Sequence, residues 1–268
     1  ADANSPSMVD RASRTDLVVI GGYDGILKKP FLSAPKHGVI NTHLGLLPQN
    51  RGCCPTLWAQ LHGRPQGFTT YLVGEAIDHG PILDMFEAPG LGGLVQNNRQ
   101  VYDALAQAAV QRFPAALERF SAGEDLAPCR GLDIYHKKGM PNDGWLSFYW
   151  SDDFLIRFSL ALDFAPYLPG RTRVEEGGEA IALAVEASCA ALEDPAAEGA
   201  AVGEVLDADE GLLLVKTRLG ALRCRQLTGT RVTKGGLLIS GRPLEQSAAP
   251  GPCPHAIPMH FSGQELPL

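Results

Sequence analysis

The chain has 268 residues, 45% of them hydrophobic and 20% charged, and carries a net charge of -7. That length admits one large domain or two smaller ones, and that balance excludes a disordered polymer. The acidic surplus excludes a broad cationic face for nucleic acid, although a local basic patch could survive it, and no apolar run approaches the length of a membrane span.

Residues 16–27, DLVVIGGYDGIL, read as a short buried strand stopped by a glycine-rich turn. Residues 38–48, GVINTHLGLLP, begin as a second strand and end in a loop. Residues 68–83, FTTYLVGEAIDHGPIL, alternate at first, turn at Asp78-His79-Gly80-Pro81 and resume as an apolar strand. Over residues 99–123, Val101, Leu105, Ala108, Phe113, Leu117 and Phe120 recur at helical spacing. Pro114 should kink or divide that helix, and Gly123 should end it. A second helix is expected over 152–163. Ser151 can cap it, Asp152 and Asp153 fill its first turn, and Phe154, Leu155, Phe158 and Leu162 share a face.

Two prolines and a glycine then break the chain over 164–170, and the rhythm changes. Short apolar segments alternate with turn residues, the pattern of a small β-barrel or sandwich. DPAAEGA, at 194–200, reads as a flexible loop, and the proline-rich tail from Gln246 as irregular. The expected organisation is a first domain over 1–164 and a second over 165–268. Cys53, Cys54, Cys129, Cys189, Cys224 and Cys253 form no CxxC or metal-ligand pattern. With no signal-peptide core at the front, reduced thiols in a cytoplasmic protein without a metal are expected.

One constellation carries chemistry. Asn41 and His43 lie two apart on an extended segment and so share a face. Leu46-Leu47-Pro48, Arg51-Gly52 and Pro55 follow, then Asp78-x-Gly80. Each residue alone has a plain reading: Asn41 and Asp78 as turn formers, His43 as a partly buried histidine, Arg51-Gly52 as a loop anchor. Together the set resembles the core signature of the folate-dependent formyltransferases. Tyr23 to Leu27 on one side, and Asn142-Asp143-Gly144 with the helix and turn after it on the other, extend the resemblance over nearly the whole chain. The linker is most similar to the small-amine and sugar branch.

The resemblance implies an α/β, Rossmann-like formyltransferase domain, shortened at its front, followed by a small, OB-like β-barrel. It implies transfer of a formyl group from 10-formyltetrahydrofolate to a primary amine of a small acceptor, an amino sugar or amino-acid derivative. Such a transfer passes through a tetrahedral centre with negative charge on oxygen, which needs aimed hydrogen-bond donors and a route for the amine proton. Asn41 would stabilise the oxyanion, His43 would act as acid/base or electrostatic stabiliser, and Asp78 would set the histidine and a water. The folate would lie against Tyr23, Gly25, Leu27, Leu46, Leu47, Pro48, Gly74 and Ile77. Arg51 and Gly52 would be loop anchors or substrate contacts. No metal, membrane or nucleic-acid partner is expected.

The chain departs from the pattern at four places. Gly45 replaces the usual serine before Leu-Leu-Pro, Phe68 stands in the usual Gly-Val-Thr, and Tyr71 replaces a frequent histidine; all three are expected at pocket walls. The residues before Asp16 read as polar and structureless where relatives carry further strands. A gapped or truncated sequence, a second or partner chain completing the sheet, or a degenerate protein would each account for that. The rival readings are methionyl-tRNA formylation, an acyltransferase taking acyl-CoA or another acyl donor through a pocket reshaped by Gly45 and Phe68, and a binding protein that keeps the fold without catalysis.

Overall fold

The structure is a computed structural model that describes residues 2–23, 25–164, 170–186 and 198–240, with two further strands at Met259–Phe261 and Gln264–Leu266. Asp24, most of the 164–170 break, 194–197 of the expected loop, and the rest of the tail lie outside those residues. Apolar β-branched runs form the first strands: β1 (Val18–Ile20) and β2 (Val39–His43), then a two-residue β3 (Arg51–Gly52), β4 (Gly67–Leu72), β5 (Ile82–Glu87) and β6 (Ile134–His136). Between them lie α1 (Pro6–Ala12), α2 (Lys29–Leu32), α3 (Pro55–Leu61) and α4 (Asn98–Ser121), and α5 (Asp152–Leu162) follows.

The first sheet runs β1-β2-β4-β5. Only β1 and β2 are parallel; β2–β4 and β4–β5 are antiparallel. The sheet is therefore mixed, whereas a doubly wound sheet is mostly parallel. The front is not structureless. Pro6 sits in the first turn of α1, and Met8, Val9 and Ala12 form an apolar edge that packs with Phe31, Val18 and Val39. Helix α4 lays Val101, Leu105 and Ala109 on Phe68 and Phe86. It stays one helix through Pro114, because the lost hydrogen bond would have gone to Val110, which is exposed and can bond water instead. Its start is a capping box between Asn97 and Gln100. In α5 the expected apolar face is buried, but Ser151 makes no side-chain cap.

The second half is a ring of antiparallel strands, β12-β7-β8-β11-β10-β9. These are β7 (Arg171–Val174), β8 (Ala180–Val185), β9 (Val205–Asp209), β10 (Leu212–Lys216), β11 (Ala221–Gln226) and β12 (Leu238–Ile239). A bridge between Glu204 and Leu237 joins its two ends. The tail, read as irregular, contributes β13 (Met259–Phe261) and β14 (Gln264–Leu266), and β13 pairs with β6 of the first half. His136 is buried and stacks on Trp58 at 4.5 Å. Among the described residues no helix is long and apolar enough to cross a membrane.

Candidate active site

The β2–β4 register sets Asn41 opposite Tyr71 and His43 opposite Thr69. Residues directly opposed in an antiparallel pair share a face, so Asn41, Tyr71 and His43 project together. The β4–β5 loop then brings Asp78 back over them. Its neck admits only glycine at position 80, where a Cβ would stand 2.0 Å from the Leu72 carbonyl oxygen. Asp78 itself has φ 46, in the left-handed region that Asp tolerates better than most residues.

These side chains meet at the Tyr71 hydroxyl. It donates to Asp78 Oδ1 at 3.0 Å and accepts from Asn41 Nδ2 at 3.3 Å. His43 Nδ1 stands 3.7 Å from the same carboxylate oxygen. His43 Nε2 lies 2.7 Å from the Asn50 carbonyl oxygen. A carbonyl only accepts, so Nε2 carries a proton and Nδ1 is the nitrogen turned to Asp78. Burial pushes the Tyr71 phenol well above the ordinary tyrosine range, with the Asp78 charge adding to the effect, so the hydroxyl keeps its proton.

Arg51 and Gly52 grip the same loop. Arg51 Nε donates to the Ile77 carbonyl at 2.8 Å, its Nη1 pairs with Asp133 at 2.8 Å, and the Gly52 amide donates to Asp78 Oδ2 at 2.8 Å. These two residues, left open between anchor and substrate contact, spend these bonds on protein atoms and fix Ile77 and Asp78. Gly52 is glycine for steric reasons as well: it has φ +94, and a Cβ would stand 2.1 Å from the His136 carbonyl oxygen. Thr69 holds the next loop, donating to the Gly45 carbonyl at 2.8 Å and accepting from the Leu47 amide at 3.1 Å.

A cleft opens between the 23–27 loop and the 73–78 loop, lined by Tyr23, Gly25, Leu27, Gly74 and Ile77, with Asn41, Tyr71 and Asp78 at its polar end. Five of the eight positions expected at the folate are thus on its walls. Leu46, Leu47 and Pro48 are not; Leu47 is buried, and Leu46 packs against Gly67. His43 also stands outside the lining, behind Asp78. Phe68 is fully buried in the α4 cluster, and Gly45 abuts Pro55, Asn50 and His43, so neither forms a cleft wall; of the three departures only Tyr71 does. Sequence reasoning missed Asn4, whose side chain donates to the Ile26 carbonyl at 2.9 Å and accepts from the Lys28 amide at 2.7 Å, pinning the cleft's outer loop.

Comparison with known proteins gives this geometry its context. The Formyl transferase family profile matches residues 6–117, which include Asn41, His43 and Asp78. The methionyl-tRNA formyltransferase of Halorhodospira halophila is 31% identical over 88% of this chain and 76% of its own length. For two other methionyl-tRNA formyltransferases the match spans only 45% and 38% of the relative. Among solved structures, a sugar N-formyltransferase from Shewanella sp. superposes with a TM-score of 0.62 at 20% identity, over 71% of this chain and 77% of that one. HypX from Aquifex aeolicus, solved in complex with tetrahydrofolic acid, superposes with a TM-score of 0.62 at 20% identity, over 82% of this chain and 37% of its own. At that identity the superpositions speak for the fold. The profile over the site-bearing segment and the Halorhodospira relative, matched over most of both chains, speak for descent, and the chain belongs to the folate-dependent formyltransferase family.

Proposed function

We propose that this protein transfers the formyl group of 10-formyltetrahydrofolate to a primary amine of a small acceptor. The observation that carries the reading is the meeting of Asn41, Tyr71 and Asp78 in a cleft whose other lining residues, Glu75 apart, are mostly apolar. A flat heteroaromatic ring suits the walls made by Ile26, Leu27, Val73 and Ile77, with the formyl carbon toward Asn41. The amine nitrogen attacks that carbon, and the Asn41 amide donates to the oxygen as its charge grows. The bond from the carbon to N10 of the folate then breaks, and the proton lost by the amine goes to the departing nitrogen. Asp78 is the carboxylate nearest to pass that proton, with His43 Nδ1 facing it 3.7 Å away on the side opposite the cleft. HypX, a neighbour in fold, holds tetrahydrofolic acid, which supports the donor; the Shewanella neighbour, a sugar N-formyltransferase, supports a small acceptor.

The second reading is methionyl-tRNA formylation, favoured by the Halorhodospira relative. Against it stand the net charge of -7 and the thin supply of basic clusters, His136-Lys137-Lys138 and Arg218 to Arg225. The acyl-CoA reading loses its footing, because Phe68 and Gly45 do not shape the cleft. Release of tetrahydrofolate, measured with a panel of amino sugars and amino-acid derivatives and with methionyl initiator tRNA, separates the readings. Turnover on a small amine is expected, falling about 10²–10³-fold in Asn41→Ala, which removes the donor aimed at the oxyanion. Consumption of the donor with the tRNA alone would replace the small acceptor, and no consumption with any amine would remove the proposal.

A further inference from the structure

We infer that Tyr71 is a positioning residue which fixes the orientation of the Asn41 carboxamide, so that its NH2 and not its carbonyl is held on the Asp78 side of the cleft. A carboxamide has two faces of similar shape and opposite chemistry. Rotating it by half a turn exchanges an N–H donor for a carbonyl acceptor. A donor stabilises an oxyanion, and an acceptor in the same place repels it. Something in the site must choose between the two.

The hydrogen-bond logic makes the choice. Tyr71 has one hydroxyl proton. Asp78 Oδ1, 3.0 Å away, is a carboxylate oxygen that can only accept, so it takes that proton. The Tyr71 oxygen is left with lone pairs alone toward Asn41, and only the NH2 group can satisfy it, as the 3.3 Å contact to Nδ2 shows. Asp78 thus dictates the setting of Asn41 through one oxygen atom. The ring that carries this oxygen is 1% exposed and cannot swing away. Asp78 is fixed in turn by the Gly52 amide, so the chain of constraint begins at the backbone. The second hydrogen of Asn41 Nδ2 stays unspent by this contact and is the one a substrate oxygen can take.

The test is Tyr71→Phe, which keeps the ring and removes only the hydroxyl. Water from the adjoining cleft can reach both abandoned partners, so the fold is expected to hold, with a melting temperature within a few degrees of the parent. One arm needs no turnover. In 15N-labelled protein the Asn41 side-chain amide, identified by its disappearance in Asn41→Asp, should exchange its protons with water at least tenfold faster in Tyr71→Phe. Unchanged exchange would overturn the inference, because the amide would then be held by something else. The kinetic arm rests on the proposed formyl transfer. There kcat should fall about ten- to hundredfold while KM for 10-formyltetrahydrofolate moves less than twofold, and Tyr71→His, which restores a hydrogen-bonding ring, should recover part of the loss. A loss confined to KM, or none, would overturn the catalytic consequence. If the parent transfers no formyl group the functional reading fails, yet the exchange result still decides whether Tyr71 orients Asn41.

Discussion

At the scale of single residues, the site is a set of groups whose freedom has been removed one by one. Gly45 shows how tightly. A Cβ there would stand 2.8 Å from Pro55 Cβ, 2.9 Å from the Asn50 carbonyl oxygen and 3.0 Å from His43 Nε2. Those last two atoms are the hydrogen-bonded pair that fixes the histidine ring. Gly45→Ser, the residue usual in the family motif, should therefore push the Asn50 carbonyl off His43. Crowding of this kind costs about 1–3 kcal/mol of stability, and the loosened ring should lower turnover at least tenfold. Urea unfolding and kcat measured on the same preparation check both effects; a variant unchanged in each would show that the loop gives way freely. Asn41, His43 and Asp78 stand out in the sequence because their spacing belongs to a long ordered motif, and the fold brings them near one another around Tyr71. Tyr71 was visible only as a departure. Its role depends on strand register, which sets it opposite a residue thirty positions earlier, and on a hydroxyl long enough to reach Asp78.

At the scale of elements, the sheet carrying the site is held to its covering helix by apolar packing and by one charged clamp. Asp84 of β5 is buried and accepts from Arg112 at 2.8 and 2.9 Å and from Arg119 at 3.3 Å, both on α4. The arginines are half exposed and can return to water, whereas the carboxylate cannot. Asp84→Ala should cost about 1–2 kcal/mol, the low end for a charged hydrogen-bond set with wet partners. It should leave kcat within about twofold, since Asp84 lies opposite Thr70 and turns to α4, on the face of the sheet away from Tyr71. Chemical denaturation of the parent and variant measures the first, and a collapse of activity without loss of stability would sink the separation between clamp and site. The helix was legible from the 3.6-residue recurrence of Val101 and Leu105. The clamp was not, because nothing local ties Asp84 to residues 28 and 35 positions away. The short α1 escaped notice for a related reason. Its apolar edge of Met8, Val9 and Ala12 covers little more than one turn, and only the sheet it meets gives that edge meaning.

At the scale of the whole molecule, the change of rhythm near residue 164 marks a change of architecture, and the packing runs straight across it. A single apolar cluster joins Leu57, Trp58 and Leu61 of α3 to Phe154, Leu155, Phe158 and Leu162 of α5, and continues into Ile181, Leu183, Val205, Leu213 and Val215 of the antiparallel ring. Backbone bonds cross as well: the Leu146 amide donates to the Arg171 carbonyl at 2.8 Å, and the Arg218 amide to the Phe148 carbonyl at 3.0 Å. Ser159 Oγ of α5 accepts from the Val185 amide at 2.9 Å. Helix α5 therefore presents one apolar surface to both halves. Removing the ring would bare large side chains whose burial contributes about 1.5–3 kcal/mol each, a loss of the same order as the stability of a whole domain. The expected outcome is that the full chain unfolds in one cooperative transition, and that residues 1–164 expressed alone bind a hydrophobic dye and show no sharp melt. A fragment with a sharp melt of its own, and a full chain unfolding in two steps, would mean that α5 is satisfied by α3 without the ring. The cleft lies in the first half, so the same experiment asks whether the ring reaches the site through α5 and α3. Pro55 opens α3 and abuts Gly45, the neighbour of His43, which gives the ring a continuous packed route to His43 of the candidate site. Filling the ring's core poorly, as with Leu213→Ala, should cost about 2–5 kcal/mol and leave kcat unchanged at temperatures where the fold persists. A fall in kcat at such a temperature would show that the second half tunes the site and does more than prop up the first.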